Sequence, residues 1–464
     1  MRSHNPIRAV GAVLLSTVAG LVLLSLLAPP PLAACASLLS QRRPASKASA
    51  GAPLERLATA AASAELTSVS SSALGASAAA TLRASELSRG SGHPLCDAAT
   101  LAREVARTAR ARAPESAVAG RGSATAAVVC IIGAVPDISF FGGLRSLWQS
   151  HLFTPQFVTE FESTFDDLDA HFLAPFRYDH VLLFQRGAGL DCALLAAAHR
   201  LGWLDAPRAA GGQVVGGSAF LCALLHAGAC ADRDFWTPRG TRVRVRARDF
   251  ALPLYLQQDP SLLDAPGWRE CEGQQWSLGY TMYSGAAYAH HVFIDDLLAS
   301  YDFTFKVDAD VRFHRRPPAD PVAIMRERRC VMAHTAVLPG SLHASCQRGA
   351  FAALQRFSKL SGSLSASAGR EWCAQAVGPD YFFGNFMGGA SSFLRSKANA
   401  LLNTWLYECD EGYFRSRWGD QASPALYLCH WLDVPSLQGN ATPHICDFSD
   451  WRRNGVFEHS KAVV

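Results

Sequence analysis

The chain carries little net charge for its size. Its 43 Lys and Arg against 39 Asp and Glu leave a formal +4 over 464 residues. That balance gives no case for a nucleic-acid partner, which calls for a strongly basic domain. Cys-x-x-Cys pairs are also missing. The 13 cysteines are scattered, so a clustered zinc site is the weaker reading and disulfides in an oxidising compartment the stronger. Cys130 and Cys429 sit in apolar runs and read as buried free thiols. Only one glycosylation sequon occurs, Asn440-Ala-Thr442. Large apolar residues are scarce from Ala36 to about Ser123, where Ala, Ser, Arg and Gly dominate. Such a segment cannot offset the entropy of ordering and reads as a stem. Within it, Cys96 to Ala113 is Ala-rich with Arg and Glu and favours a local helix.

What is present begins with an address. Arg2 and Arg8 precede an uncharged stretch from Ala9 to Ala28. Such a helix spans about 30 Å, the hydrocarbon thickness of a bilayer. The positive flank before it predicts a cytosolic N-terminus and a lumenal body, a type II signal anchor. A cleaved signal peptide is the competing reading, because Ala34-Cys-Ala36 resembles a small-residue cleavage site. The expected division is a cytosolic tail at 1–8, an anchor at 9–28, a low-complexity stem at 29–123 and a folded body at 124–464.

The body reads as α/β. Ala124 to Ile132 is a continuous apolar run of strand length, as for a parallel strand covered on both faces. Helical stretches are expected over Gly142–Phe153 and Phe157–Phe172, the second with Phe161, Phe165, Leu168 and Phe172 at helical spacing. Tyr178 to Phe184 is another buried strand, so strand, helix, strand predicts a right-handed crossover unit. Thr241 to Arg248 places Arg242, Arg244, Arg246 and Arg248 on one strand face. That face suits a phosphate or acidic acceptor; the favoured reading is a solvated edge strand protected by charge.

The most informative segment is Tyr301 to Val311. Phe303, Phe305 and Val307 alternate with Thr304 and Lys306, which predicts a strand. Asp308 and Asp310 leave its end together. At i and i+2 on extended chain, two carboxylates point to one side. They repel unless a hard cation or another positive charge sits between them. An Asp-x-Asp pair at a strand tip therefore points to Mg²⁺ or Mn²⁺ holding a diphosphate. The bland alternative is a solvated turn.

Three blocks resemble one family, the fungal α-1,2-mannosyltransferases of glycosyltransferase family 15. They are Phe165 to Phe184, then Tyr283-Ser-Gly285 with Tyr301 to Val311, and then Phe382-Phe-Gly-Asn-Phe386, Phe393-Leu-Arg-Ser396 and Tyr413 to Asp420 with its Arg-Trp-Gly-Asp. The resemblance runs from about residue 124 to 450. It implies a GT-A, Rossmann-like mixed sheet flanked by helices, in a type II Golgi membrane enzyme. It also implies Mn²⁺ (or Mg²⁺), a nucleotide-sugar donor with GDP-mannose favoured, retention of configuration, and a glycan or glycoprotein acceptor. UDP-galactose or UDP-xylose is the alternative donor, and a non-catalytic glycan-binding descendant the alternative protein.

Carried over residue by residue, the resemblance makes Asp308 and Asp310 metal ligands, with His444 as a third and His430 its rival. Lys306 stands where the family has Arg and would counter the carboxylates or a phosphate. Asp420 is the candidate catalytic carboxylate facing the acceptor hydroxyl, or a helix N-cap. Asn385 would hydrogen-bond a sugar hydroxyl or close a turn, and Trp418 is a core aromatic or a sugar-stacking platform. Tyr280 lies near the family's active-site Tyr segment. Met387 stands where the family has a carboxylate, and a thioether cannot form a glycosyl ester. The expected chemistry then uses another carboxylate or front-face attack. Ser416, Thr281 and Gly133-Ala134 are further departures on the donor side.

Overall fold

The structure is a computed structural model. It describes residues 92–110, 125–132, 155–185, 197–198, 200–205, 232–271, 274–275, 278–282, 295–338, 346, 349–361, 381–382, 386–416, 418 and 444–459. The anchor stretch 9–28 and the helix expected over 142–153 lie outside these residues, as does any helix that Asp420 would cap. No helix among the described residues is long and apolar enough to cross a membrane.

In chain order the strands are β1 (Ala126–Ile132), β2 (Asp179–Gln185), β3 (Leu204–Asp205), β4 (Arg233–Trp236), β5 (Arg242–Arg248), β6 (Glu270–Cys271), β7 (Gln274–Gln275) and β8 (Phe303–Val307). They continue with β9 (Val311–Phe313), β10 (Met332–His334), β11 (Val337–Leu338), β12 (Tyr381–Phe382), β13 (Phe386–Ala390), β14 (Ile445–Asp447) and β15 (Phe457–His459). The helices used below are α1 (Ala98–Arg110), α2 (Pro155–Leu168), α3 (Pro321–Arg328), α4 (Ala350–Ser361) and α5 (Lys397–Glu408).

Nine strands form one mixed sheet in the order β14-β10-β13-β8-β1-β2-β5-β4-β3. β8, β1, β2 and β5 are mutually parallel. β13 runs against both β8 and β10, and β14 is parallel to β10. The apolar run of β1 fits its central place, with Ala126 to Ile131 buried on both faces. One face carries Ala127, Val129, Ile131, Val181, Leu183, Met332, Met387 and Ile445 into a core with α4 and α5. The other carries Val128, Cys130, Leu182, Phe305, Phe386 and Cys446 into a core with α2 and α3.

Helix α2 presents Phe161, Phe165 and Leu168 to the sheet at i, i+4 and i+7, the stripe its sequence predicts. It widens into a π turn at Asp169–Leu173 before Arg177, at φ +59°, turns the chain into β2. Buried Asp169 accepts a hydrogen bond from the Thr241 hydroxyl and lies 3.5 Å from Arg239 Nη1.

Two expectations are corrected. β5 is interior, between β2 and β4, not an edge strand. Its guanidiniums are matched by carboxylates rather than solvated. Arg242 donates through Nε to Asp179 (2.9 Å), Arg246 to Asp234 (2.5 Å) and Arg248 to Asp295 (2.5 Å). Arg244 reaches the Tyr301 hydroxyl at 3.2 Å and Asp234 at 3.5 Å. The helix expected within the stem exists but belongs to the folded unit. Leu101 and Val105 of α1 are in the core, and the helix packs on α4 and α5. Asp97 Oδ2 caps it by accepting from Thr100 N–H (2.8 Å), and the Cys96–Cys409 disulfide staples its start to the end of α5.

Two further disulfides are Cys271–Cys346 and Cys330–Cys446, the latter tying the entry of β10 to the edge strand β14. Cys130 is free and buried, as its apolar run predicts; Cys429 lies outside the described residues.

Candidate functional site

Chain order reverses at β1. The path runs from β1 out through β2 to β5, then returns to β8 on the other flank of β1. In open α/β sheets such a switch point leaves a crevice outside the carboxyl ends of the two strands, where ligands bind. Asp308 and Asp310 follow the carboxyl end of β8, at that crevice.

β8 itself is buried throughout, Lys306 included. The chain then turns rather than extending, and Val311 N–H donates to the Asp308 carbonyl at 3.1 Å. The expectation of two carboxylates on one extended strand is thus replaced by two carboxylates flanking a tight turn. Both are partly exposed, whereas Ala309 between them is buried. Helix α2 pins the turn from below. The Thr164 hydroxyl donates to the Ala309 carbonyl at 2.5 Å, and Arg312 spans Ser163 O (3.2 Å) and Asp167 Oδ2 (3.3 Å). Packed aromatics stiffen the base, with Phe172 stacked on Phe313 at 4.9 Å and Phe457 tilted against Phe313 at 5.4 Å.

Lys306 Nζ lies 2.7 Å from Asp308 Oδ1. A buried ammonium needs such a partner. Asp308, Asp310 and Lys306 all act on the buried thiol of Cys130, inside β1. Burial is the main cause of its raised pKa, the two carboxylates raise it further and Lys306 opposes them. Lys306 and Asp308 are in contact, and Asp310 follows them at the same strand tip. Two partly exposed carboxylates supply oxygen donors, and that donor set fits Mg²⁺ or Mn²⁺.

His444 does not join them. It precedes β14, where its carbonyl accepts from Val331 N–H (2.7 Å) and Met332 N–H (3.1 Å), with φ at +76°. The cross-strand register sets Ile445 level with Met332, Gly389 and Thr304. His444 thus lies at the opposite end of the sheet from Asp308, about 20 Å away at ordinary strand spacings. Of the two readings of Trp418, core aromatic and sugar platform, the structure takes the first. It is 2 % exposed in the core, edge-on to Tyr413 at 5.8 Å and packed over Gly412, so it offers no face to a sugar. Asp420, Asn385 and His430 lie outside the described residues, as does the side chain of Tyr280, whose backbone is in the short helix Leu278–Thr281.

The structure adds residues that sequence reading passed over. Strand β15 pairs with β9 and sets His459 opposite Val311, the residue after Asp310. Cross-strand pairing also lines up Lys306, Met387, His334 and Asp447 on one face. His334 is 2 % exposed, and its Nδ1 lies 3.9 Å from Asp447 Oδ1. Burial lowers the imidazole pKa to about 4, and Asp447 opposes that shift. The only hint in sequence is one histidine in an otherwise apolar run, Val331-Met-Ala-His-Thr-Ala-Val337.

No family model matches the chain, and no curated protein matches it. Solved structures do. Core-mannan synthase A (CmsA/Ktr4) from Aspergillus fumigatus, in its Mn/GDP form, is 14% identical, with a TM-score of 0.42 over 67% of this chain and 70% of that one. The mannosyltransferase Ktr4p from S. cerevisiae in complex with GDP is 12% identical, with a TM-score of 0.41 over 77% and 84%. These are distant likenesses; the site described above stands on strand order and register.

Proposed function

We propose that the chain is a metal-dependent glycosyltransferase that moves a sugar, most favourably mannose from GDP-mannose, to a glycan or glycoprotein acceptor. One observation carries this: Asp308 and Asp310 flank a pinned turn at the sheet's switch point, with Lys306 already on Asp308. The Asp-x-Asp and Arg-Trp-Gly-Asp blocks support the reading. The similar solved structures agree with it, being of mannosyltransferases and in one case a Mn/GDP form.

In this reading Asp308 and Asp310 hold the cation. When bound, the cation neutralises the departing diphosphate, where most charge develops. Lys306 holds Asp308 in place without a cation and then turns to a phosphate oxygen. The turn's hydrogen bond to Thr164 keeps the two carboxylates positioned before the ligand arrives. Asp420 is the carboxylate proposed to face the acceptor hydroxyl, with Asn385 and Tyr280 on the substrate side. Neither Met387 nor buried Trp418 supplies a nucleophile.

The reading also places the body in the Golgi lumen behind a membrane anchor at 9–28. Three disulfides among the described residues support an oxidising compartment.

The test is donor turnover by the full-length chain with Mn²⁺ and a panel of sugar nucleotides. Hydrolysis of GDP-mannose, lost on chelation and in Asp308→Ala, is expected. Turnover of a UDP-sugar alone would replace the donor. Absence of both turnover and any metal-dependent thermal shift would leave a glycan-binding protein.

A further inference from the structure

The two levels of the sheet nearest the carboxylate turn differ in kind. One pleat down, the row across β8, β13, β10 and β14 reads Thr304, Gly389, Met332, Ile445. No residue in it ionises. At the level adjoining the turn the row reads Lys306, Met387, His334, Asp447. Packing alone does not call for this change, because Met332 and Ile445 fill the same face of the same strands with apolar side chains. A buried imidazole costs desolvation that an apolar residue avoids. The change coincides with approach to the site.

Geometry gives the row an electrostatic meaning. Same-face neighbours on adjacent strands stand about 5 Å apart. His334 therefore lies about 10 Å from Lys306 across Met387, and about 12 Å from Asp308 by strand spacing and rise. The charged groups on the neighbouring strands are Asp447 on β14 and, beyond Met387, Lys306 on β8. Asp447 is also held in place, since its Oδ1 accepts from Ser449 N–H at 2.7 Å.

We propose that His334 and Asp447 form an electrostatic positioning pair for the cation site. An uncharged imidazole beside a carboxylate keeps the positive charge of the row at Lys306 alone, so that a divalent cation can join Asp308 and Asp310. A positive charge at His334 opposes the cation, and the Asp447 carboxylate favours it. At about 12 Å and an effective dielectric between that of a protein surface and water, one added positive charge weakens binding of a divalent ion roughly three- to tenfold. Loss of Asp447, one strand further away, weakens it roughly two- to fivefold. His334 is a positioning residue here, acting on the cation through the field and not by contact.

This inference rests on the cation reading of Asp308 and Asp310, and the experiment separates the two. Mn²⁺ affinity of the full chain is measured by the electron-spin resonance of free Mn²⁺, without donor or acceptor, at pH 7.

His334→Arg and Asp447→Asn are expected to weaken binding by the factors above. His334→Gln, uncharged like the imidazole, is expected to match wild type at pH 7. On acidification it should lose affinity less steeply, because one protonation site is gone. Equal Mn²⁺ affinity in wild type, His334→Arg and Asp447→Asn, with all three folded by melting temperature, would overturn the pair's role. If His334→Arg does not fold, the acid slope of His334→Gln decides, and a slope equal to wild type overturns the proposal. Wild type that binds no Mn²⁺ while folded removes the cation reading itself, and this inference with it.

Discussion

Two charged regions of this sheet look alike in sequence and differ in the fold. Along β5, Arg242, Arg244, Arg246 and Arg248 meet Asp179, Asp234, Asp232 and Asp295. Each of the four guanidiniums has a carboxylate within ion-pair distance. At the tip of β8, Asp308 pairs with the Lys306 ammonium, and Asp310 follows two residues on. Both carboxylates are partly exposed, at the carboxyl end of the sheet's switch point. A run of like charges says little until its place in the sheet is known; the Arg run of β5 is tied into ion pairs inside the sheet, and the Asp pair of β8 stands partly exposed at the switch point, where ligands bind.

The largest effect that would sharpen the contrast is on turnover. Asp308→Ala should remove cation binding and lower donor turnover by at least about a hundredfold, as loss of a principal transition-state contact does. The fold should survive, as read by circular dichroism. The mirror change on β5, Asp234→Ala, should leave Mn²⁺ affinity unaltered; a changed affinity would break the comparison.

Next in size is a packing effect beneath the site. A Cβ on Gly388 of β13 would fall 2.2 Å from the Phe305 ring. Gly388→Ala should cost about 1–3 kcal/mol through overpacking, read by thermal or urea unfolding. Asp234→Ala should cost about 1–3 kcal/mol, because Arg244 and Arg246, both mostly buried, lose their shared carboxylate.

The smallest effect is a pH dependence set by a group that neither region uses. His180 is fully buried, stacked on Phe165 at 5.3 Å and 15°, and neither ring nitrogen has a hydrogen-bond partner. Burial lowers its pKa to about 3. The unfolded chain then binds a proton that the folded chain refuses. Stability should fall as pH drops below the ordinary imidazole value, about 6.5, towards 3. His180→Phe should be neutral or stabilising by about 1 kcal/mol at pH 7. It should also flatten the decline between pH 6 and 4 in urea melts; an unchanged slope would assign the decline elsewhere.

Much of this was legible in the chain. Continuous apolar runs announced β1 and β2, alternation announced β8, and helical spacing of Phe161, Phe165 and Leu168 announced α2. Asp308, Asp310 and Lys306 were readable because their signal is local, three residues within one strand end. His444 was carried over by resemblance, and position along the chain says nothing about which end of the sheet β14 enters. Trp418 was readable as core or platform, and only burial separates the two. α1 looked like part of a stem because its composition is Ala-rich, yet Leu101, Val105 and a disulfide suffice to fasten it. His334 and Asp447 stand 113 residues apart in sequence and meet only through parallel pairing of β10 and β14.

By itself the sequence determined the α/β pattern, the buried central strands and the acidic tip of β8, since each depends on side-chain period and neighbours along the chain. The tertiary structure decided strand order, the ion pairing along β5 and at the tip of β8, and which histidine lies near the tip. Those depend on register between distant strands, where a shift of a single residue moves a side chain to the other face.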